Sequence, residues 1–372
     1  MPSTTEKIAV IGAGVMGLGA AAELSRRGFD VEVFERADIG NSEGGSGGIG
    51  RIFRTTYPEP EAVRSLIEAG RLWDELERTL GLKLRSAVSG LDYGDDVITA
   101  GFAEALNREE VQFRFLTDDE TAERWPSLRF SGRVLEQADG ALIHSERVLP
   151  ALCEYLEQRS ALINRSTTVD RIVQVDAGVE LVVNGNPRRF DRVVVCAGAG
   201  TNALCDGILD LPAVRITQEF TLSFDLEPEA EPFPVACDYR KPSIHGDSYF
   251  WLPSEPGRMK LGVFASGVEV APGPPQCPAA LADELYSYAA ATFAANGELI
   301  NSELTPCTYD FSPDEWFFAD ATAGARVVAV GGFSGHGYKF APSVAIAIAE
   351  IIDSDGLKMP SGLPWTPSLA LV

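Results

Sequence analysis

Three glycines near the start of the chain have the spacing of a dinucleotide-binding turn. Gly12, Gly14 and Gly17 form a GxGxxG pattern that follows an apolar run and precedes an alanine-rich, helix-prone stretch. In such a turn the first glycine permits the tight bend, the second lets the backbone approach a pyrophosphate, and the third lets helix and strand pack closely. The helix start also offers free N–H groups to phosphate. Glu35 ends the next predicted strand, where its carboxylate can accept hydrogen bonds from the adenosine ribose.

The nature of the dinucleotide is only partly fixed by this unit. An acidic residue at position 35 disfavours the extra phosphate of NADP. The GxGxxG pattern alone does not separate FAD from NAD, and outside this context the alternative is a loop that merely needs glycine. The N-terminal position favours FAD, and the rest of the chain decides between the two cofactors. Neighbouring residues are further candidate cofactor contacts: Val15, Met16, Arg36 and Ser46.

Three other segments combine cationic, aromatic and thiol side chains in distinctive patterns. Arg51 and Arg54 follow a glycine-rich loop, Cys307 and Tyr309 precede the letters SPDE, and residues 332–340 read GFSGHGYKF. Together they resemble the monomeric sarcosine oxidase family of flavin amine oxidases, which includes N-methyltryptophan oxidase and pipecolate oxidases. The resemblance covers nearly the whole chain. It implies an FAD-dependent oxidase that converts the C–N bond of a secondary amino acid, N-methyl or cyclic, to an imine by hydride transfer to flavin N5 and returns the electrons to O2 as H2O2.

Cys307 matches the family cysteine whose sulfur is joined to the 8α-methyl group of the flavin in a thioether. Such an attachment requires a thiolate beside an electrophilic ring edge. A buried structural cysteine is the alternative, since most cysteines are of that kind. The flanking Tyr309 and SPDE letters favour the covalent link, and we interpret the other five cysteines as packing residues.

The glycine-rich segment 332–340 lies between a predicted strand and a predicted helix. A turn of this kind gathers backbone N–H groups into a nest that stabilises negative charge, and in a flavoenzyme that charge develops at the N1–C2=O end of the reduced ring. A second phosphate loop is the alternative. No obvious catalytic base is present, and we assign the histidine of this segment a supporting role. The residues predicted to form the nest are Gly332, Gly335, His336, Gly337 and Lys339.

Four cationic side chains match residues that face the substrate, the flavin or oxygen in the family. Arg54 and Lys339 match a clamp for the substrate carboxylate, which would position the adjacent C–H bond. Arg51 matches a residue that helps to hold charge near the flavin, and Lys260 matches the lysine that activates O2. Either clamp residue alone is more commonly a surface charge, and without the resemblance Lys260 would be predicted to face outward from its strand.

The chain departs from the family where the family carries basic and hydroxyl groups. The segment Ser46–Gly48 replaces two adjacent histidines, and Phe264 replaces a histidine four residues after the oxygen lysine. A family tyrosine falls near Phe250, which lies between Tyr249 and Trp251. We therefore hypothesise a substrate larger than sarcosine, cyclic or aryl-bearing, that contacts Tyr249, Phe250 and Phe264. The alternative is that these aromatic residues belong to the protein core.

Two other functions remain open at this point. A dehydrogenase or desaturase of the same fold would pass electrons to a different acceptor, or act on a biosynthetic amine or imine. A flavin-binding subunit without turnover is the second alternative, although the retained Arg54, Lys260 and Lys339 argue against it.

The order of predicted elements distributes these residues over two interleaved domains. Strand and helix patterns typical of a nucleotide-binding fold occur at the start, the middle and the end of the chain, and strand-rich segments without long helices separate them. We predict an α/β protein with a Rossmann-like FAD-binding domain (1–85, 145–215 and 310–372). The second, β-rich substrate domain (86–144 and 216–309) is built on a large antiparallel or mixed sheet.

Composition and charge exclude several classes of partner. The chain has 31 Lys plus Arg against 54 Asp plus Glu, a net charge of −23, which disfavours nucleic acid; we interpret the acidity as an aid to solubility. Six cysteines and three histidines show no metal-ligand spacing. No stretch approaches the roughly 20 apolar residues of a membrane span. We predict a monomeric cytoplasmic enzyme without a metal, whose partners are a small amine and O2.

Overall fold

The computed structural model describes residues 5–42, 44–227, 231–240, 246–255, 257–270, 274–293 and 299–355. In these ranges the helices are α1 (Val15–Arg26), α2 (Pro60–Leu80), α3 (Asp96–Arg108), α4 (Asp118–Arg124), α5 (Ser145–Gln158), α6 (Thr201–Cys205), α7 (Ala279–Thr292) and α8 (Ala341–Asp353). The strands are β1 (Lys7–Ile11), β2 (Asp30–Phe34), β3 (Arg51–Phe53), β4 (Arg85–Ala87), β5 (Gly90–Tyr93), β6 (Arg114–Leu116), β7 (Val134–Gln137), β8 (Ala141–Ile143), β9 (Leu162–Asn164), β10 (Val169–Val175), β11 (Gly178–Val183), β12 (Asn186–Phe190), β13 (Arg192–Val195), β14 (Arg215–Asp225), β15 (Val235–Asp238), β16 (Ser248–Glu255), β17 (Arg258–Phe264), β18 (Val268–Glu269), β19 (Ile300–Phe311), β20 (Phe318–Ala321) and β21 (Val327–Gly331).

A six-stranded sheet of order β20-β21-β13-β1-β2-β9 forms the nucleotide-binding part of the fold. All neighbouring strands are parallel except β20, which is antiparallel to β21. The central strands are short runs of Val, Ile and Ala, as expected where both faces of a parallel sheet are buried. Helices α1, α5 and α8 cover one face, and the three-stranded sheet β10-β11-β12 covers the other.

The second sheet is larger and mixed, with the order β18-β14-β17-β16-β15-β5-β7-β6, and β19 pairs with the opposite edge of β14. Its pairs are antiparallel except β15 with β5, which run parallel. Side chains alternate between the two faces of each strand, so each face is defined by register. One face is apolar and packs on α7. The other carries Asp92, Cys237, Phe250, Lys260 and Cys307; we call it the site face.

The strands of the two large sheets alternate along the chain. The six strands of the parallel sheet come from the segments predicted for the FAD-binding domain, and the mixed sheet comes from the segments predicted for the substrate domain, within two residues. A small sheet of order β3-β8-β4 joins segments from both. The domain boundaries themselves stay a prediction, and residues 356–372 of the predicted FAD-binding domain lie outside the described residues.

The residue pattern of 278–295 predicts a helix, and the structure has a helix over Ala279–Thr292; residues 294 and 295 lie outside the described ranges. Helix α3 and the β10-β11-β12 sheet had no counterpart in the sequence prediction. Among the described residues, none of the helices combines the length and the apolar character needed to cross a membrane.

Candidate active site

The glycines of the fingerprint are required by the space around them. Gly12 has a φ of +102°, and a Cβ there would lie 2.3 Å from the carbonyl oxygen of Cys196. A Cβ on Gly17 would lie 1.9 Å from the Gly12 oxygen, and one on Gly14 would lie 2.9 Å from Ser46 Oγ. Backbone atoms therefore exclude a larger residue at Gly12 and Gly17, whereas a side chain at Gly14 would displace the Ser46 hydroxyl; the turn suits a close backbone approach to a pyrophosphate.

Glu35 and Ser46 both reach the start of α1. The Ala13 N–H donates to Glu35 Oε2 at 2.8 Å, and the Val15 N–H donates to Ser46 Oγ at 3.0 Å. Two candidate cofactor residues thus meet the glycine turn from different segments. Val15 and Met16 are buried in the first turn of α1, whereas Arg36 lies on the exposed segment after β2.

A second cluster gathers around Cys307 on the site face. Lys260 on β17 is half-buried and donates from Nζ to the Ile49 carbonyl at 3.2 Å. Burial and the neighbouring Arg51 charge lower the pKa of Lys260 to about 7. Burial raises the pKa of the Cys307 thiol, while Lys260 and Arg51 lower it in part. Tyr309 follows two residues later on the same strand and face, so the structure brings four predicted site residues together.

The Arg51 guanidinium binds the glycine-rich loop. Its Nη2 donates to the Gly45 and Gly47 carbonyls at 2.9 and 2.6 Å, and its Nη1 donates to the Gly50 carbonyl at 2.8 Å. The guanidinium carbon also lies 5.1 Å from the centre of the Tyr338 ring. Arg51 therefore fixes this loop beside β19 and the C-terminal turn, a positioning function that the sequence did not reveal.

Sequence reasoning also missed Glu219, a carboxylate beside this cluster. Glu219 on β14 is paired in register with Cys307 on β19 and is only 2% exposed. It accepts hydrogen bonds from the hydroxyls of Thr217 at 2.6 Å and Ser266 at 3.1 Å. These partners hold the carboxylate toward the β18 turn.

A third cluster pairs Arg54 with Lys339 across an aromatic ring. The Arg54 guanidinium carbon and Lys339 Nζ lie 5.4 and 5.3 Å from the centre of the Tyr57 ring. Lys339 is 7% exposed, and burial together with the Arg54 charge lowers its pKa to about 7. Two buried cations at one ring form a site that an anion would stabilise.

Arg54 has protein partners that sequence reasoning did not find. Its Nη1 donates to Asp92 Oδ1 at 3.0 Å and to Thr56 Oγ1 at 2.7 Å, and its Nη2 donates to the Tyr239 hydroxyl at 3.0 Å. Burial lowers the pKa of Arg54, but the Asp92 charge acting together with Cys237, Tyr239 and Tyr57 offsets this effect, and the pKa ends well above its ordinary value. Arg54 is thus a permanent cation. Cys237, predicted only as a packing residue, pairs in register with Asp92 on the site face.

His336 orients Tyr57. Its Nε2 lies 2.8 Å from the Glu315 carbonyl, which can only accept, so Nε2 carries the hydrogen and Nδ1 accepts from the Tyr57 hydroxyl at 2.8 Å. Burial and the charges of Lys339 and Arg54 lower the pKa of His336 to about 3. The imidazole is therefore neutral at physiological pH and supports the ring between the two cations.

The C-terminal glycine-rich segment packs on the strand that carries Cys307. Gly332 has a φ of +69° and donates its N–H to Asp310 Oδ2 at 2.9 Å. Gly335 has a φ of +73°, and a Cβ there would lie 2.4 Å from the Tyr309 ring. The segment then forms a short 3₁₀ turn, Gly337–Phe340, that leads into α8.

Two of the three aromatic residues predicted for the substrate lie on the site face. The Phe250 ring covers Gly262, where a Cβ would come within 2.4 Å of it. Phe264 lies further along the same face, with its ring centre 6.0 Å from that of Phe311. Both rings are therefore placed beside the cationic clusters on one surface of the sheet.

Tyr249 lies on the opposite face, and the structure does not bring it to the candidate site. Its ring stacks on Tyr288 of α7 with centres 3.9 Å apart, and its hydroxyl donates to Glu284 at 2.6 Å. Trp251 is fully buried on the same side, where its indole N–H donates to the Tyr93 hydroxyl at 3.1 Å. These two aromatic residues belong to the core, and we remove Tyr249 from the proposed substrate contacts.

Comparison with known proteins decides which family uses this arrangement. The sequence profile of the DAO family, described as FAD dependent oxidoreductase, matches residues 7–351. The chain belongs to this FAD-dependent oxidoreductase family. The oxidoreductase is 26% identical to mouse peroxisomal sarcosine oxidase over 380 residues, covering 96% of this chain and 94% of that protein. It is 28% identical to N-methyl-L-tryptophan oxidase of Yersinia pestis over 348 residues, covering 90% and 91%. The resemblance inferred from the motifs is confirmed.

Solved structures support the same fold for the oxidoreductase. NikD, an amino acid oxidase of nikkomycin biosynthesis in its open form, superimposes with a TM-score of 0.85 at 22% identity, covering 98% of this chain and 99% of NikD. L-proline dehydrogenase from P. horikoshii superimposes with a TM-score of 0.82 at 20% identity, covering 96% of each chain. The predicted fold class is confirmed.

The described residues fit the FAD of an FAD-dependent oxidoreductase. At one end, the glycine turn leaves no room for a Cβ, and Glu35 reaches that turn. At the other end, Lys260 and Arg51 form a half-buried cationic pair next to Cys307 that an electron-rich ring system would complement. Among the described residues no group of His, Cys, Asp and Glu could hold a metal ion.

Proposed function

We propose that this oxidoreductase is an oxidase of a secondary amino acid, N-methyl or cyclic, that forms an imine and transfers the electrons to O2 as H2O2. The observation that carries the proposal is a pair of Lys–Arg clusters, Lys339 with Arg54 and Lys260 with Arg51, whose side chains are buried or half-buried. Each cluster favours an anion: a carboxylate at the first, and a reduced oxygen species at the second. The names of the sarcosine and N-methyl-L-tryptophan oxidases that the chain resembles agree with such a substrate.

At the substrate end, Lys339 and Arg54 bind the carboxylate and orient the molecule. The Tyr57 ring keeps the two cations apart, and neutral His336 holds its hydroxyl. The amine must be unprotonated, because its lone pair drives loss of hydride from the adjacent carbon. FAD, when bound, supplies the hydride acceptor, and the protein supplies orientation and charge.

At the oxygen end, Lys260 provides a half-buried amino group that is a cation when protonated. A lysine in an apolar strand is costly unless a partner or a function compensates. Here its Nζ is directed at the Ile49 carbonyl and lies near Arg51 and Cys307. An anion formed from O2 beside this ammonium group would be stabilised electrostatically, which supports an oxidase.

We further propose a covalent thioether between Cys307 and the flavin. Burial raises the pKa of the Cys307 thiol, and the Lys260 and Arg51 charges oppose that rise; these two cations would stabilise the thiolate that the attack requires. Acid precipitation of the protein tests the link: a yellow pellet, lost in Cys307→Ser, is expected. A colourless wild-type pellet refutes the covalent link and leaves the oxidase proposal intact.

The aromatic residues of the site face support a substrate with a ring. Phe250 and Phe264 occupy positions beside the cationic clusters, where they would contact the apolar part of a pipecolate-like or aryl-bearing amine. Comparison of kcat/KM for sarcosine, proline, pipecolate and N-methyltryptophan tests this point. A clear preference for sarcosine contradicts it.

The decisive experiment separates the two half-reactions. We expect a secondary amino acid to bleach the flavin anaerobically, and O2 to restore the colour with one H2O2 per turnover. Rapid turnover with a dye but slow reoxidation by O2 would instead identify a dehydrogenase. Failure of every amine to bleach the flavin would support a non-catalytic flavin-binding subunit.

We also propose that the enzyme is a monomer of the cytoplasm. All six cysteines are free, which suits a reducing compartment. Light scattering of the purified holoenzyme tests the oligomeric state, and localisation of a tagged full-length chain tests the compartment. A stable dimer would contradict the first assignment.

A further inference from the structure

One of the two hydrogen-bonding edges of the Arg54 guanidinium is occupied by protein groups before any substrate binds. Its end-on edge, formed by Nη1 and one Nη2 hydrogen, is taken by Asp92, Thr56 and Tyr239. Among the described residues, no protein acceptor lies at Nε or at the remaining Nη2 hydrogen. These two hydrogens form the side-on edge, which can still bind a carboxylate through two parallel hydrogen bonds.

Asp92 is held rigidly in this position by the fold. It lies on β5, paired in register with Cys237 on β15, so its side chain must point to the site face. The residue is 0% exposed, and its other oxygen accepts from Thr56 Oγ1 at 2.6 Å. Its Oδ1 accepts from Arg54 Nη1 at 3.0 Å and from the Tyr239 hydroxyl at 3.2 Å, so three donors converge on a carboxylate that water cannot screen.

We propose that Asp92 is a specificity-determining residue, a built-in carboxylate that competes with the substrate carboxylate for the Arg54 charge. The inference rests on the proposed carboxylate site. Asp92 orients the guanidinium so that its side-on edge remains available, and at the same time it neutralises the charge. The site therefore has one uncompensated cation, Lys339, instead of two.

Because Asp92 neutralises Arg54, substrate recognition at this site depends more on shape and less on charge. A single carboxylate between Arg54 and Lys339 gains less than it would from two unpaired cations, because Asp92 repels it across the guanidinium. Removing the Asp92 charge leaves Arg54 buried and unpaired, which destabilises the free enzyme. The ligand carboxylate then becomes the missing partner, so ligand binding tightens.

The test uses Asp92→Asn in the FAD-loaded enzyme, with pyrrole-2-carboxylate and its neutral carboxamide as probes. Asp238→Asn is the matched control: Asp238 is also 0% exposed and paired with an arginine, Arg240, but it faces α7. Binding is read from the change in flavin absorbance at pH 6, and the ligand-induced shift in Tm is measured in parallel. Neither readout requires turnover.

Asp92→Asn should lower the Kd of the carboxylate by about fivefold or more while the Kd of the carboxamide changes by less than about twofold. The ligand-induced rise in Tm should be larger than in the wild type, and Asp238→Asn should resemble the wild type. Unchanged or weaker carboxylate binding in Asp92→Asn would overturn the inference alone. No carboxylate binding in either protein would refute the proposed carboxylate site as well.

The wild-type enzyme gives a second test if Asp92→Asn does not retain flavin. At pH 9 Lys339 is neutral and Arg54 is already neutralised by Asp92, so pyrrole-2-carboxylate should bind at most about tenfold more tightly than the carboxamide at that pH. A much larger ratio would show that the Arg54 charge is fully available to the ligand, and the inference would then be rejected.

Discussion

Binding of a carboxylate ligand should depend on the titration of Lys339. Burial and the nearby Arg54 charge lower the pKa of this lysine to about 7 in the free enzyme. Only the protonated form attracts an anion, and a bound carboxylate raises the pKa again. The affinity is therefore full below pH 7 and falls as the pH rises above 7, with a limiting slope of about tenfold per pH unit.

The magnitude follows from the protonated fraction. With a pKa of about 7, about 90% of Lys339 is protonated at pH 6 and about 1% at pH 9. The affinity for pyrrole-2-carboxylate, which has no group that titrates in this range, should fall by about 90-fold between these pH values, or about 2.7 kcal/mol. Arg54 remains charged throughout, so some affinity persists at high pH.

Titrations of flavin absorbance at half-unit steps between pH 6 and 9 would measure this dependence. Lys339→Gln should bind the carboxylate weakly and almost independently of pH. Lys260→Met is the control for the second lysine with a pKa of about 7, and it should keep the wild-type pH dependence. A flat wild-type profile, or one abolished by Lys260→Met alone, would refute the assignment of Lys339 to the carboxylate.

Three further predictions follow from the same geometry. Lys260→Met should slow flavin reoxidation by O2 by about 100-fold while anaerobic reduction by substrate changes little, measured by stopped-flow absorbance; equal effects on both steps would contradict its role. Gly335→Ala should lower the free energy of unfolding by about 2–4 kcal/mol, because the new Cβ would meet the Tyr309 ring. Gly324→Ala is the control: its φ is +71° but the space around it is open, so the loss should be about 1 kcal/mol. Thermal or urea unfolding measures both values. Tyr57→Leu should weaken carboxylate binding about tenfold, since the ring no longer separates the two cations. Tyr57→Phe keeps the ring and should change the binding by less than about threefold. Similar losses in both variants would show that the hydroxyl matters more than the ring.

The nucleotide-binding unit and the two lysines could be predicted because local patterns specify them. Gly12, Gly14 and Gly17 lie between an apolar strand and an alanine-rich helix, and the structure shows that backbone atoms leave no room for a side chain at Gly12 and Gly17. The positions of Lys260 and Lys339 came from motifs that share spacing with related enzymes. Periodicity alone would have directed Lys260 to solvent, and its burial was accessible only through the resemblance.

The error at Tyr249 has a simple physical cause. Neighbouring residues on a strand point to opposite faces, and both Tyr249 and Phe250 are aromatic. The sequence alone therefore does not decide which of the two faces the site and which faces the core. Docking of α7 decides between them, because its Tyr288 stacks on Tyr249 and leaves Phe250 on the site face. That long-range contact has no local signal.

Asp92 was missed for a related reason. It sits in a short strand with no motif, and its partner Arg54 lies 38 residues earlier in the chain. An isolated Asp in a sequence is normally a surface residue. Only the parallel pairing of β5 with β15 buries it against the guanidinium.

The two Lys–Arg clusters differ in a way that bears on what each must bind. Both arginines come from one short segment, Arg51 to Arg54, yet only Arg54 has a carboxylate partner. Within the part of the chain that the structure describes, Arg51 and Lys260 donate hydrogen bonds only to carbonyl and hydroxyl oxygens. The nearby Glu219 carboxylate is bound by Thr217 and Ser266 instead, so neither cation has a carboxylate partner. Such a pair is expensive in a folded protein unless an anion completes it. The cluster at Cys307 therefore depends on a ligand for its charge balance more strongly than the cluster at Tyr57, where Asp92 already supplies half of the balance. This asymmetry is expected if one cluster stabilises charge that appears only during turnover, while the other must bind and release a substrate carboxylate in every cycle.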